Sequence, residues 1–157
     1  MKRAKYVSIP AVYRRAVIQP SQRRRDLLTS VASKVWDQLV EVYGSFVAWS
    51  SAYADENVDY LHEPTQRREQ VSKHLSELSD YYFPRAVWLD LRTCESVEKF
   101  IEKSSSMYSE FTAEIRARGY SRRVKSGMAE RVSAELGPLK REALSDLREE
   151  LKKYIVD

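Results

Sequence analysis

Glycine, cysteine and histidine are all scarce in this 157-residue chain, which has four Gly, one Cys and two His. A single cysteine excludes an intramolecular disulfide framework and suits a reducing compartment, so a cytoplasmic location is expected. Four scattered glycines supply no Gly-rich loop to cradle a phosphate. So few turn residues also argue against a strand-rich fold, which must reverse direction often. No apolar run reaches the ~18 residues of a membrane-crossing helix. Nor does the stretch 1–20 hold the unbroken apolar block of a secretory leader. It is Arg-rich and free of acids instead, a composition that mitochondrial transit peptides share.

What is abundant is charge, 32% of residues, beside an ordinary apolar content of 43%. That mixture suits helices with one greasy and one wet face. The longest pattern is Leu28, Val31, Val35, Leu39, Val42, Phe46, Trp49 and Tyr53. Steps of three and four place these side chains on one stripe of a single helix, expected over 21–58 and capped by Ser21 after Pro20. Pro10 and Pro20 punctuate the preceding stretch, which reads as extended chain or a short helix.

His62-Glu63-Pro64-Thr65 reads as a turn into a second helix, marked by Val71, Leu75, Leu78 and Tyr82 and stopped by Pro84. The apolar run from Phe83 to Leu91 is either a short buried helix or a connector across the bundle end. A third helix, capped by Thr93, carries Val97, Phe100, Ile101, Tyr108, Phe111 and Ile115 and ends at Gly119. The serines 104–106 within it mark a thin, closely packed point. The last helix bears Val132, Leu136, Leu139, Ala143, Leu147 and Leu151, with a kink or restart expected at Pro138. The fold class is therefore all-α: an antiparallel bundle of three to four long helices with coiled-coil-like packing. A basic segment over 1–20 precedes the helical domain, 21–157.

Chemistry is thinly signalled. A di-iron bundle requires two Glu-x-x-His motifs. The nearest approaches are Asp59-Tyr60-Leu61-His62 and the inverted pair His74 and Glu77, so no metal or cofactor is expected. His74 reads as part of a solvated face beside Lys73, and His62 as part of a turn. Cys94 reads as a core residue rather than a nucleophile.

Two basic clusters and one aromatic cluster are left. The first 25 residues hold eight basic groups and no acid, whereas the other 132 hold 19 basic and 23 acidic groups. Arg14, Arg15, Arg23, Arg24 and Arg25 are anion candidates in that arm. Arg116, Arg118, Arg122, Arg123 and Lys125 are those of the turn around Gly119. Tyr81, Tyr82, Phe83 and Trp88 surround Pro84 and are candidates for a partner surface, or for a plug sealing the bundle end. The function expected is a non-catalytic helical protein-interaction or scaffold module that binds a partner or itself. The alternative is nucleic-acid binding through the arm and the 116–125 turn. An anionic membrane surface is a further partner class for the arm.

Overall fold

The computed structural model describes residues 2–51 and 62–155, with side chains over 22–51 and 64–154. Helix α1 covers Lys2–Trp49, α2 His62–Tyr82 and α3 Leu91–Arg118. A 3-10 segment, Phe83–Trp88, joins α2 to α3. The last rod consists of α4, Arg122–Arg131, a π segment, Val132–Leu136, and α5, Gly137–Ile155. Among the described residues there is no strand.

The four rods form a ring in which α1 packs on α2 and α5, and α3 packs on α2 and the last rod. Cross-helix contacts give the directions. From Gln38–Glu77 through Glu41–His74 to Ala48–Arg67, one number rises as the other falls. Trp36–Arg148 and Tyr43–Lys140 do the same between α1 and α5. Arg92–Asp146, Lys103–Glu135 and Glu110–Arg131 do so between α3 and the last rod. Each of these neighbouring pairs is antiparallel.

The expected stripes are the core. Leu28, Val31, Val35, Leu39, Val42, Phe46 and Trp49 are all buried, as are Val71, Leu75, Leu78 and Tyr82 opposite them. Trp49, Phe46, Tyr108 and Phe111 interlock at one end with ring centroids 5.8–6.3 Å apart. Ser104 is fully buried, consistent with a thin contact point in α3. Tyr53 lies outside the described residues.

Several boundaries differ from the sequence reading. Helix α1 is already running at Ser21, so Ser21 is interior and not a cap, and Pro10 and Pro20 lie within the helix. Arg23–Arg25 are thereby removed from a helix N-terminus, where their charges would oppose the dipole. At its other end α1 stops at Trp49, short of 58. It has no basic residue in its last turn. The Arg67 guanidinium donates to the Ala48 carbonyl at 2.5 Å, and the Tyr120 hydroxyl donates to the Trp49 carbonyl, so neighbouring rods satisfy these groups. Helix α2 already includes His62, which is therefore helical and not part of a turn.

Asp90, not Thr93, caps α3: its Oδ1 accepts the Thr93 N–H at 2.9 Å. Gly119 terminates the helix as expected, with φ +78°, a value that disfavours any side chain. The last rod passes Pro138 without a loop, and its irregularity falls just ahead of the ring, at Val132–Leu136. The preceding π turn, in which the Gly137 N–H reaches back to the Val132 carbonyl, widens the helix ahead of the ring. An ion network ties that turn to α3. Glu135 meets Lys103 at 2.8 Å and Arg131 at 2.6 Å, and Arg131 meets Glu110 at 2.6 Å.

Leu39→Ala should destabilise the protein by about 2–5 kcal/mol, because a fully buried side chain leaves a cavity; urea unfolding measures it. Acid should act through two carboxyls. Glu135 is held at about 2, first by the Arg131 hydrogen bond and then by Lys103. Burial raises Asp90, but Lys153 and the Thr93 N–H outweigh it and bring the group to about 2. A carboxyl lowered on folding contributes stability that is complete above its unfolded value and is lost as pH falls toward its folded one. Urea midpoints should therefore decline as pH falls from the ordinary carboxylate range toward about 2. Glu135→Gln should make that decline shallower.

Candidate functional site

The connector between α2 and α3 is where apolar side chains meet water. Within Phe83–Trp88 no residue is buried. Val87 is 83% exposed, Leu91 75%, Phe83 52% and Trp88 37%. The cause is local. A 3-10 helix places side chains in three rows around a narrow axis, so one short turn cannot direct all of them at the core. Of the two alternatives for this run, a short buried helix is excluded: it is a 3-10 connector, most of which faces solvent, with Leu89 buried.

The four aromatic candidates separate accordingly. Tyr82 is fully buried and donates toward Glu98 Oε2 at 3.2 Å and the Cys94 carbonyl at 3.4 Å. Burial, with these partners, pushes its hydroxyl well above the ordinary tyrosine range. Tyr82 is thus core, not a partner surface. Tyr81 is half-buried, with Lys34 and Arg85 over its ring at 4.7 and 4.2 Å. Phe83 and Trp88 are exposed, and Val87 and Leu91 join them. Those two were missed because nothing in an apolar stretch marks which residues a connector turns outward.

Beside the connector, α1 around Arg24–Leu28 and the end of α5 border an open pocket of about 360 Å³. Arg24, Arg25, Trp88, Asp90, Glu150 and Lys153 are among its lining residues. Glu150 is buried to 2% exposure, and its Oε1 accepts the Asp90 N–H at 2.5 Å. Asp90 Oδ2 meets Lys153 at 2.8 Å. These carboxylates are committed to fastening α5 to the start of α3.

The basic candidates do not form one surface. Arg23, Arg24 and Arg25 are exposed at the connector end. The 116–125 turn lies at the opposite end, where Tyr120 reaches the end of α1. There Arg116, Arg122 and Arg123 are exposed, and Arg118 lies 4.0 Å from Glu114. Lys125 is corrected from surface to interior. It is 4% exposed, with its ammonium 4.9 Å from the centre of the Tyr120 ring. Its stem packs into the bundle end, as long cationic side chains commonly do. The side chains of Arg14 and Arg15 lie outside the described residues.

Cys94 is buried, with its thiol 3.2 Å from the Ala86 carbonyl. Burial raises its pKa, against a smaller lowering by Tyr82. His74 departs from expectation. It is largely covered, and its Nδ1 lies 3.5 Å from Glu41 Oε2 and 3.7 Å from Glu77 Oε2. Glu41 was invisible to the sequence reading, because only the α1–α2 register brings it to His74. Among the described residues no helix is long and apolar enough to cross a membrane.

No protein-family model, curated protein or solved structure matches the chain. Cys94 should react with a thiol reagent at least about tenfold more slowly in the native protein than in urea, because it is buried and biased toward the thiol. Equal rates would contradict its placement.

Proposed function

We propose that the chain is a non-catalytic helical interaction module that docks a protein partner, a second copy included, on the α2–α3 connector. The observation that carries this reading is the exposure of Phe83, Val87, Trp88 and Leu91. Among the described residues, the long apolar stripes are otherwise spent on the core, and the other large exposed apolar residues, Leu27, Val40 and Val47, are spread along α1. Large apolar side chains gathered in one short segment favour contact with another apolar surface, and aromatic residues dominate such contacts. Arg24, Arg25 and Lys153 at the edge of the neighbouring pocket would give the contact a charged rim. A buried thiol as the chain's one cysteine fits the reducing cytoplasm as the place of action.

Nucleic-acid binding is the second reading, favoured by the exposed Arg23, Arg24 and Arg25 on consecutive positions of α1. The separation of these from Arg116, Arg122 and Arg123 weighs against one continuous footprint. One experiment distinguishes the two readings. The tagged full chain, Val87→Asp and Trp88→Ala are purified from the native cell with and without nuclease, and their masses are measured by light scattering. The docking reading expects a complex, or a self-associated form, that survives nuclease and is lost in both variants while their helical circular dichroism is unchanged. Association that is unaltered in both variants, or removed by nuclease, would overturn it.

A further inference from the structure

The covered edge of His74 faces two carboxylates without a hydrogen bond. Its Nδ1 is buried and has no hydrogen-bond partner among the described residues. The nearest oxygens, Glu41 Oε2 at 3.5 Å and Glu77 Oε2 at 3.7 Å, stand beyond the usual 2.7–3.2 Å of an N–H···O bond. A buried ring nitrogen with no partner normally carries a penalty. Spacings of this size are nevertheless natural for ligands that share an ion. Metal–ligand bonds of about 2.0–2.2 Å to nitrogen and oxygen place the corners of a tetrahedron about 3.3–3.6 Å apart. One donor atom from each of the three residues lies within 4.8 Å of the others, so modest side-chain rotation would close the set.

A second polar group nearby is also unspent. Gln38, 8% exposed, lines the same α1–α2 groove as Glu41 and Glu77. Its Nε2 donates to the Glu77 carbonyl at 3.3 Å, whereas its buried Oε1 has no partner among the described residues. The backbone here is held on both sides, by Gln38 and by Arg67 on the Ala48 carbonyl. Helical geometry places His74 and Glu77, three residues apart, on one face. The antiparallel register adds Glu41 from the neighbouring helix.

We propose that Glu41, His74 and Glu77 form a binding site for a divalent transition metal, with Zn2+ as the best-suited ion. The donor set of one imidazole nitrogen and two carboxylate oxygens matches Zn2+ chemistry, with water as the fourth ligand. It suits Mg2+ and Ca2+ poorly, because both prefer all-oxygen shells with more ligands. Two carboxylates and a neutral imidazole also present a charge of −2 to a +2 ion. The competing cation on Glu77 is Lys73, which lies 3.9 Å from the other carboxylate oxygen, Oε1, and is exposed. Such a contact is weak. The site lies between α1 and α2 and does not depend on the docking surface.

Isothermal titration of the metal-free full chain with Zn2+ near neutral pH tests the site. One ion should bind per chain, and Mg2+ should give no comparable signal. His74→Ala, Glu41→Gln and Glu77→Gln should each weaken Zn2+ binding by more than about tenfold, since loss of even an outer partner of a metal ligand costs 10–100-fold. His62→Ala, which removes the chain's other histidine, should bind as the unmodified chain does. Thermal unfolding should rise with Zn2+ in the unmodified chain and not in His74→Ala. If His74→Ala folds poorly, the two exposed Glu→Gln positions decide the matter. Absence of Zn2+ binding, or binding by the ligand variants as tight as that of the unmodified chain, would overturn the site.

Discussion

Burial of the α1 stripe, from Leu28 to Trp49, sets the terms for the rest of the molecule. Seven apolar side chains on one edge require cover from more than one direction, and α2 and α5 supply it from two sides. Once those neighbours are seated, α3 closes the ring against α2 and the last rod. The hydrophobic term is non-directional, so it makes the rods associate without fixing their register. The polar contacts between rods do that. Gln38 on the Glu77 carbonyl, Arg67 on the Ala48 carbonyl and Glu150 on the Asp90 N–H each join groups that would otherwise be left unsatisfied.

This division between greasy cover and polar register explains which features the sequence made legible. The stripes of α1, α2 and α3 were readable because spacing alone reports a helical face. Gly119 was readable because glycine alone takes a positive φ at no steric cost, and Pro84 because its ring restricts the residue before it. Caps were less so. Asp90 and Thr93 are both good cap residues, and only the observed geometry shows Thr93 donating its N–H to Asp90. The carbonyls that end α1, of Ala48 and Trp49, are met by Arg67 and Tyr120, groups 19 and 71 residues away from them in sequence.

The same reasoning accounts for the functional candidates. Composition identified Phe83 and Trp88 as notable but could not separate them from Tyr82, two of whose hydroxyl contacts are on α3. Lys125 looked like one more cation in a basic turn, whereas packing against Tyr120 takes it out of the surface. Glu41 had no local signal at all. Its meeting with His74 follows from a register that no pattern within either helix specifies.

The widened turn ahead of Pro138 has a consequence for chain length. Val124, Met128, Val132, Leu136, Leu139, Ala143, Leu147 and Glu150 step along the inner side of the last rod, covering 26 residues in seven turns. Seven ordinary turns would use about 25. The surplus position is accommodated where the backbone loops out into i→i+5 bonding. This rod therefore carries one amino acid more than a regular spiral needs. A single-codon deletion there would yield a tidier helix of about 25 residues over the same seven turns, with Ala143 and Leu147 still facing the bundle axis. Straightening the rod with every residue kept would instead turn both away from the axis by most of one 100° residue step.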